Sequence, residues 1–299
     1  MKDEIPKSVS PSDPIGIFDS GVGGLTVYRA LRHLLPNENF IYLGDTAHLP
    51  YGTKSNELIE QYTVSASQML CSHNIKFLVI ACNTASAYGL DAVQDAFPDL
   101  LCSGVITEGV ETATKVTRSG NVAILASEGT VRSNAYIEYF YKKNPNIFVE
   151  MLPCNLMVTL VEEGMCEGLV TENVISHYLG QLKSEYDTLL LGCTHFPLLL
   201  SSLRKICNPN VQILDCATAV AEKAKYIIIK SGLANPQKEL GRDLFFVTDF
   251  PERFSRMAKL YLKMDISQNI QQVFMSVHSE KNVRFSLDHV SEGTRFLGI

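Results

Sequence analysis

The chain has 299 residues, of which 46% are hydrophobic and 19% are charged, and its net charge is −6. A negative chain with no cluster of lysine and arginine argues against general nucleic-acid binding, which needs a basic surface. No apolar run reaches the about 20 residues that a membrane-spanning helix needs, so we expect no membrane partner, and the length predicts about two domains.

In chain order, the sequence begins with a polar segment, residues 1–14, that we expect to be disordered. It lacks the apolar stretch of a signal peptide, so we also expect a cytoplasmic protein. Continuous apolar runs are typical of buried parallel strands and predict strands at 15–18, 40–43, 77–81, 122–125, 148–152, 189–191, 211–214 and 244–247. The predicted helices are 25–35, 56–73, 85–96, 131–143, 171–184, 219–230 and 251–263. The alternation predicts an α/β fold with a parallel sheet, followed after about residue 264 by a weakly patterned C-terminal extension.

Two cysteines, Cys82 and Cys193, have the same local setting. Each closes an apolar run and is followed by small polar residues. Residues 15–21 open the first half of the chain and residues 121–129 open the second. The offset between them resembles the offset between the two cysteines, 193 − 82 = 111 residues. The pattern predicts two similar α/β halves that face each other, each contributing one cysteine. The alternative, that strand spacings recur by chance, stays open.

The chemistry of these two positions points to a reactive site. The carboxyl ends of strands in open α/β sheets are where ligands bind, and a helix N-terminus lowers the pKa of a thiol. His195 is close enough in sequence to influence Cys193, and Asn83, Thr84 and Thr194 offer neutral hydrogen bonds to a carboxylate. None of the eight cysteines forms a CxxC pair, so we expect them to be reduced. Four of them are interpreted as small buried hydrophobic residues: Cys71, Cys102, Cys166 and Cys207.

A glycine-rich turn, residues 19–25, lies between a predicted strand and a predicted helix. Thr26 stands where a dinucleotide-binding fingerprint needs glycine, so we interpret the turn as a site for a small carboxylate or ammonium. Asp19 could bind a substrate ammonium or act as a base, and equally it could cap the helix. The turn at Pro50 and Gly52 is more often an ordinary loop than a site. The histidines have no metal-binding spacing, so we expect no metal site.

Six motifs occur in order between about residue 15 and about residue 263. They are IFDSGVGGL (17–25), GDTAHLPYG (44–52), ACNTAS (81–86), EGTVRSNAY (128–136), LVEEG (160–164) and LGCTHFPL (191–198). Together they closely resemble the glutamate racemases, of the cofactor-independent aspartate/glutamate racemase superfamily. The chain departs from the usual pattern of that family at His48, Asn155, Thr159, Phe196 and Cys216.

The resemblance implies two three-layer α/β domains with mainly parallel sheets and an active site in the cleft between them. It implies interconversion of L- and D-glutamate for peptidoglycan synthesis, without pyridoxal phosphate, metal or other cofactor, often in a homodimer. It makes Cys82 and Cys193 the acid/base thiols, with Asp19, His195 and Glu162 assisting. The positions that match substrate-binding residues are Asp19, Ser20, Tyr51, Gly52, Asn83, Thr84, Thr130, Thr194 and His195.

The same pattern divides the chain into a first domain, residues 1–105 plus 214–299, and a second domain, residues 106–213. A cleft of this kind could close over its substrate. Two other functions stay open. A two-lobed binding protein would hold a ligand without chemistry, and an aspartate racemase, decarboxylase or isomerase of the same superfamily would act on a different substrate.

Overall fold

The structure, a computed structural model, describes residues 9–275, so the expectations for residues 1–8 and for the extension beyond residue 275 lie outside the described residues. Residues 10–13 form a turn in which the Asp13 amide donates to the Ser10 carbonyl at 3.0 Å. None of the described helices is both long and apolar enough to span a membrane.

Within the described residues the chain forms ten strands. All eight predicted strands are present, and two short strands, β4 and β10, are additional. The strands are β1 Ile15–Asp19, β2 Phe40–Gly44, β3 Phe77–Ile80, β4 Cys102–Ser103, β5 Asn121–Ala126, β6 Phe148–Pro153, β7 Thr188–Gly192, β8 Gln212–Asp215, β9 Asp243–Val247 and β10 Ile270–Gln272.

Eleven α-helices lie between these strands in the described part of the chain. They are α1 Leu25–Leu34, α2 Asn56–Cys71, α3 Asn83–Ala96, α4 Ile106–Val116, α5 Glu128–Arg132, α6 Ala135–Lys143, α7 Asn155–Glu162, α8 Leu169–Leu179, α9 Leu200–Ile206, α10 Ala217–Lys230 and α11 Pro251–Leu262. Short 3₁₀ helices occupy Tyr51–Thr53, Phe196–Leu199 and Ser267–Asn269.

The helix predictions differ from the structure in two ways. The predicted helix 131–143 is two helices, α5 and α6, because Asn134 between them has a left-handed φ of 56°, which asparagine tolerates better than most residues. The helices α4, α7 and α9 were not predicted. Threonine, valine and glycine make α4 a weak helix former, and it is stabilised by packing against α6 and α10.

The two sheets are parallel throughout and share one topology. The first has the order β10-β9-β2-β1-β3-β4 and the second β6-β5-β7-β8. The run β2-β1-β3-β4 therefore corresponds to β6-β5-β7-β8, with β3 matching β7. This correspondence confirms the prediction of two similar α/β halves, and it places Cys82 and Cys193 after equivalent strands.

Side chains alternate across the first sheet, as the two-residue period of a strand requires. Ile15 and Ile17 of β1 face a core with α1 and α10, whereas Phe18 faces α2 and α3. The first of these cores also contains the apolar residues of the second sheet, so one continuous core joins the two halves. The last strand of the second sheet, β8, ends at Asp215, so by sheet membership the chain returns to the first half after that residue.

A buried ion pair lies just before strands β2 and β3 of the first sheet. Lys76 and Glu38 are almost wholly buried and their side chains form a salt bridge. The Lys76 ammonium also donates to the Pro11 carbonyl at 2.5 Å, and Glu38 accepts from the Asn235 amide at 2.8 Å. Four segments that are distant in sequence therefore meet at this pair.

We expect Lys76→Met to lower the free energy of unfolding by about 3–5 kcal/mol, because it leaves the buried carboxylate of Glu38 without a counter-charge. The double variant Lys76→Met/Glu38→Gln should recover most of this loss, since glutamine carries no charge and its oxygen can still accept from Asn235. Urea unfolding measures both. Lys205→Met, which breaks the exposed pair with Glu172, is the control and should cost less than about 1 kcal/mol. A double variant no more stable than Lys76→Met would contradict this role.

Candidate active site

A cavity of about 340 Å³ lies where the carboxyl ends of the two sheets meet. Residues that follow β1, β3, β5 and β7 all reach it. Its lining consists of Ser20, Leu49, Pro50, Tyr51, Gly52, Thr53, Cys82, Asn83, Thr84, Ser127, Asn155, Leu156, Val158, Thr159, Cys193, Thr194 and His195. The two cysteines identified in the sequence therefore line the same cavity.

Cys82 is the residue immediately before α3 and is 6% exposed. The expectation that the helix N-terminus would lower its pKa is wrong for this structure. Burial, the largest effect, and the charge of Asp19 raise the pKa to about 12, although hydrogen bonds with the Ala85 amide and the Ser20 side chain partly oppose the shift. The Cys82 thiol is therefore protonated at neutral pH while no substrate is bound.

Cys193 belongs to a hydrogen-bonded chain with a histidine and a glutamate. Its Sγ lies 3.7 Å from Nδ1 of His195, and Nε2 of His195 lies 2.8 Å from Oε1 of Glu162. Cys193 is followed by a short 3₁₀ helix, Phe196–Leu199, and does not directly precede an α-helix as Cys82 does. The neighbour of this thiol is therefore the imidazole and not the start of a long helix.

Both partners of the His195–Glu162 pair favour their charged forms. Burial opposes a charge on His195, yet the hydrogen bonds to Cys193 and Glu162 hold the pKa of the imidazole well above its usual range. Burial likewise opposes ionisation of Glu162, but the bond and charge of His195, with the charge of Arg253, lower the pKa of the carboxyl. A positive charge therefore stands beside Sγ of Cys193, the setting that stabilises a thiolate.

Asp19, at the end of β1, is fully buried behind the cavity wall. Its carboxylate accepts a hydrogen bond from the Thr194 hydroxyl at 3.2 Å and another from the Gly24 amide. Burial raises the pKa of Asp19 from 3.8 to about 6, although the charge of His195 and the bond from Thr194 oppose the shift. Thr194 thus links the first half of the chain to the loop that carries Cys193.

Three hydroxyl groups form a cluster that bridges the two halves. The Thr84 hydroxyl lies 2.8 Å from that of Ser127 and 3.0 Å from that of Thr130. Thr84 is two residues after Cys82 in the first half, whereas Ser127 and Thr130 belong to the second half. Hydroxyl groups can turn to donate to an anion, so the cluster is suited to a carboxylate.

The loop between β2 and α2 supplies the remaining wall. The Tyr51 hydroxyl donates to the buried carboxylate of Asp45 at 2.6 Å, which fixes the ring. A Cβ on Gly52 would lie 2.7 Å from Cβ of Ser127, so only glycine lets this loop approach the second half. Gly23 has the same function across the cleft, since a Cβ there would lie 2.6 Å from Nδ1 of His195.

The structure brings the predicted site residues together, although not all of them face the cavity. Nine line it directly, while Asp19, Glu162 and Thr130 lie behind the wall and contact lining residues. Sequence reasoning missed Ser127, which follows β5 as Ser20 follows β1. The similarity between residues 15–21 and 121–129, which begin the two halves, could have identified Ser127. No sequence signal identified Arg253, whose side chain contacts the Glu162 carbonyl at 3.0 Å.

Within residues 9–275, no three His, Cys, Asp or Glu side chains are grouped so that they could hold a metal ion. The charged side chains at the cleft instead bond to protein groups, His195 to Glu162 and Asp19 to the Thr194 hydroxyl. The arrangement therefore places two thiols on one cavity, Cys193 beside His195 and Cys82 without such a neighbour among the described residues.

We expect Asp19→Asn to stabilise the protein at pH 7.5 by about 1–3 kcal/mol, because a pKa raised by about two units means that ionisation of the buried carboxyl costs stability. In the unchanged protein, the contribution of Asp19 to the free energy of unfolding is fully present below pH 3.8 and is lost as the pH rises through about 6. The stabilisation by Asp19→Asn should therefore vanish near pH 4. Thermal unfolding between pH 4 and pH 8 measures it. Asp95→Asn, at an exposed position of α3, is the control, and an equal gain at pH 4 and pH 7.5 would refute the burial argument.

Comparison with known proteins matches residues 15–224 to the family described as Asp/Glu/Hydantoin racemase. A protein of Chlorobaculum parvum named glutamate racemase is 39% identical over 86% of this chain and 95% of its own length. One of Geobacter metallireducens with the same name is 42% identical over 84% of this chain and 93% of its length.

Among solved structures, the glutamate racemase of Francisella tularensis in complex with D-glutamate is 36% identical. It aligns with a TM-score of 0.83 over 88% of this chain and 98% of that one. The family match covers most of the chain, and the relatives agree along nearly their whole length. The two matched sheets and the cavity between their ends are thus those of an amino-acid racemase, and the chain belongs to the Asp/Glu/Hydantoin racemase family.

Proposed function

We propose that this protein interconverts L-glutamate and D-glutamate by acid/base chemistry with two thiols and without a cofactor, and that its D-glutamate supplies peptidoglycan synthesis in the cytoplasm. One observation carries the proposal: Cys82 and Cys193 follow equivalent strands of two similar halves and open onto one cavity. The names and the D-glutamate complex of the relatives support glutamate as the substrate. A homodimer, and domains of 1–105 plus 214–299 and 106–213, belong to the same proposal.

Racemisation removes the proton from Cα on one face and delivers another proton to the opposite face. Two groups on opposite sides of the substrate do this without turning either the substrate or the base. A thiol suits the task, because its usual pKa of about 8.5 is easily brought near neutral pH. In each turnover one thiolate accepts the Cα proton and becomes a thiol, while the other thiol gives up its proton and becomes a thiolate.

The two thiols have unlike surroundings. Cys82 is protonated because burial raises its pKa to about 12, whereas Cys193 lies beside the imidazolium that Glu162 holds in place. Cys193 is then the base toward L-glutamate and Cys82 the acid. Toward D-glutamate the roles exchange, with Asp19 assisting Cys82.

The difficult part of the reaction is the carbanion at Cα, since no electron sink takes up its charge in this proposal. Charge that develops on the α-carboxylate is stabilised by preorganised donors in a site that excludes water. The cluster of Thr84, Ser127 and Thr130 supplies hydroxyl donors that are already held in place. The loop of Tyr51 and Gly52 offers a second polar surface for the other carboxylate of the substrate.

We expect the unchanged protein to racemise glutamate in deuterated water with deuterium at Cα of the product, and each of Cys82→Ala and Cys193→Ala to lose racemisation by about 10²–10⁴-fold. Removal of HCl from a β-chloroglutamate needs only the base. Cys82→Ala should therefore keep elimination from the L-analogue, and Cys193→Ala should keep it from the D-analogue.

Chiral chromatography and mass spectrometry follow both reactions, and parallel assays with aspartate test the substrate. Cys71→Ala is the control, because this half-buried thiol at the end of α2 does not line the cavity. Binding of glutamate without exchange at Cα would indicate a binding protein, and faster turnover of aspartate would indicate a different racemase. Racemisation at the original rate by Cys82→Ala would rule out the two-thiol mechanism.

We expect Glu162→Gln to slow elimination from the L-analogue by roughly tenfold to a hundredfold, because the imidazolium beside Cys193 loses a charge-assisted hydrogen bond. Elimination from the D-analogue should change little. Elimination is the sharper measurement, since L- and D-glutamate have equal free energy and kcat/KM for racemisation must fall equally in both directions. Glu163→Gln, at the exposed neighbour, is the control. Equal loss with both analogues would contradict an effect specific to Cys193.

A further inference from the structure

A second hydrogen-bonded chain reaches the site from behind Asn83. The Asn83 Nδ2 donates to the Tyr136 hydroxyl at 2.8 Å, and that hydroxyl lies 3.4 Å from Sγ of Cys216. Sγ of Cys216 in turn lies 3.9 Å from the Leu191 carbonyl. All three side chains are buried, and only Asn83 lines the cavity of about 340 Å³.

The direction of this chain follows from its far end. The Leu191 carbonyl can only accept, so the Cys216 S–H donates to it and Sγ is left to accept from the Tyr136 O–H. The Tyr136 oxygen is then left to accept from Asn83. Burial, the largest effect, raises the pKa of both groups, that of Cys216 to about 12, so both keep the protons that the chain needs.

This direction leaves the amide oxygen of Asn83 as the atom for the substrate. No residue among 9–275 donates a hydrogen bond to Oδ1 of Asn83. The oxygen is nevertheless not one of the fully buried side-chain atoms without a hydrogen-bond partner, so it is accessible. Asn83 directly follows Cys82, so this open acceptor belongs to the wall that carries the Cys82 thiol. An acceptor matches an ammonium group, whereas the hydroxyl cluster at Thr84 matches a carboxylate.

We infer that Tyr136 and Cys216 are positioning residues of the racemisation site, which hold the Asn83 amide with its oxygen toward the substrate ammonium. The inference rests on the proposed function, because it assigns which end of an amino acid this wall receives. Tyr136 lies on α6 and Cys216 precedes α10, whereas Asn83 begins α3. The orientation of a group in the first half is therefore set in part by Tyr136, which belongs to the second half.

The test is Tyr136→Phe, which removes only the hydroxyl and frees the amide to rotate. Calorimetry with racemic glutamate reports binding alone, since the enantiomers have equal enthalpy. We expect the Kd for glutamate to rise roughly tenfold, the equivalent of one hydrogen bond. The Kd for 2-oxoglutarate, whose keto oxygen can accept from a rotated amide, should stay within about twofold. General loosening of the site would weaken both ligands alike and would overturn the inference.

Cys216 provides a second, independent variant should Tyr136→Phe not fold. Cys216→Ala removes the acceptor for the Tyr136 hydroxyl, which can then donate to the amide oxygen and turn the amide around, so it should shift the ratio of the two Kd values in the same direction. Cys216→Ser keeps both hydrogen bonds and should restore the original ratio. Tyr139→Phe, on the same helix but outside the chain of bonds, is the matched control.

The outcomes separate the inference from the function on which it rests. If the unchanged protein racemises glutamate while both variants keep the original ratio, the inference is overturned and the function stands. If the unchanged protein neither binds nor racemises glutamate, the proposed function fails, and the inference falls with it. A shifted ratio in Tyr136→Phe and Cys216→Ala, with recovery in Cys216→Ser, supports the inference.

Discussion

His195 and Glu162 form an ion pair that is almost wholly removed from water, with Nε2 and Oε1 2.8 Å apart. Burial by itself would drive both groups to their neutral forms; His195 stays charged because of Cys193 and Glu162, and Glu162 stays charged chiefly because of His195. The charge on the imidazole then faces Sγ of Cys193, and no equivalent cation faces Cys82 among the residues that the structure describes. The difference between the two thiols therefore depends on this one pair, although their strands are equivalent.

The same constraint explains why the two halves are joined so tightly around the site. Buried ionisable and hydroxyl groups need partners, and here the partner is often in the other half: Thr194 bonds Asp19, and Ser127 and Thr130 bond Thr84. These bonds form only when the cleft is assembled. Because these bonds join the two halves around the site, a substitution at the interface between the halves should also change the surroundings of the thiols.

Asp19 and Cys82 show how burial is used on the opposite side. The pKa of Asp19 is raised to about 6 and that of Cys82 to about 12, in both cases chiefly by burial. A protonated thiol is the form that the proposed reaction needs for the acid. The ionised carboxylate at neutral pH costs stability, and a strained or costly group retained at a site is typical of function.

The sequence by itself determined the strands, the α/β class and the likeness of the two halves, because apolar runs and strand-end motifs are local. It also identified nine lining residues, both thiols among them. It failed at α4, where packing outweighs weak helix propensity, at the short helices α7 and α9, and at the split near Asn134. Only the tertiary structure decided that Cys82 has a raised pKa, that Thr194 bonds Asp19, and that Tyr136 holds Asn83. Those properties arise from burial and from partners distant in sequence, which no local pattern encodes.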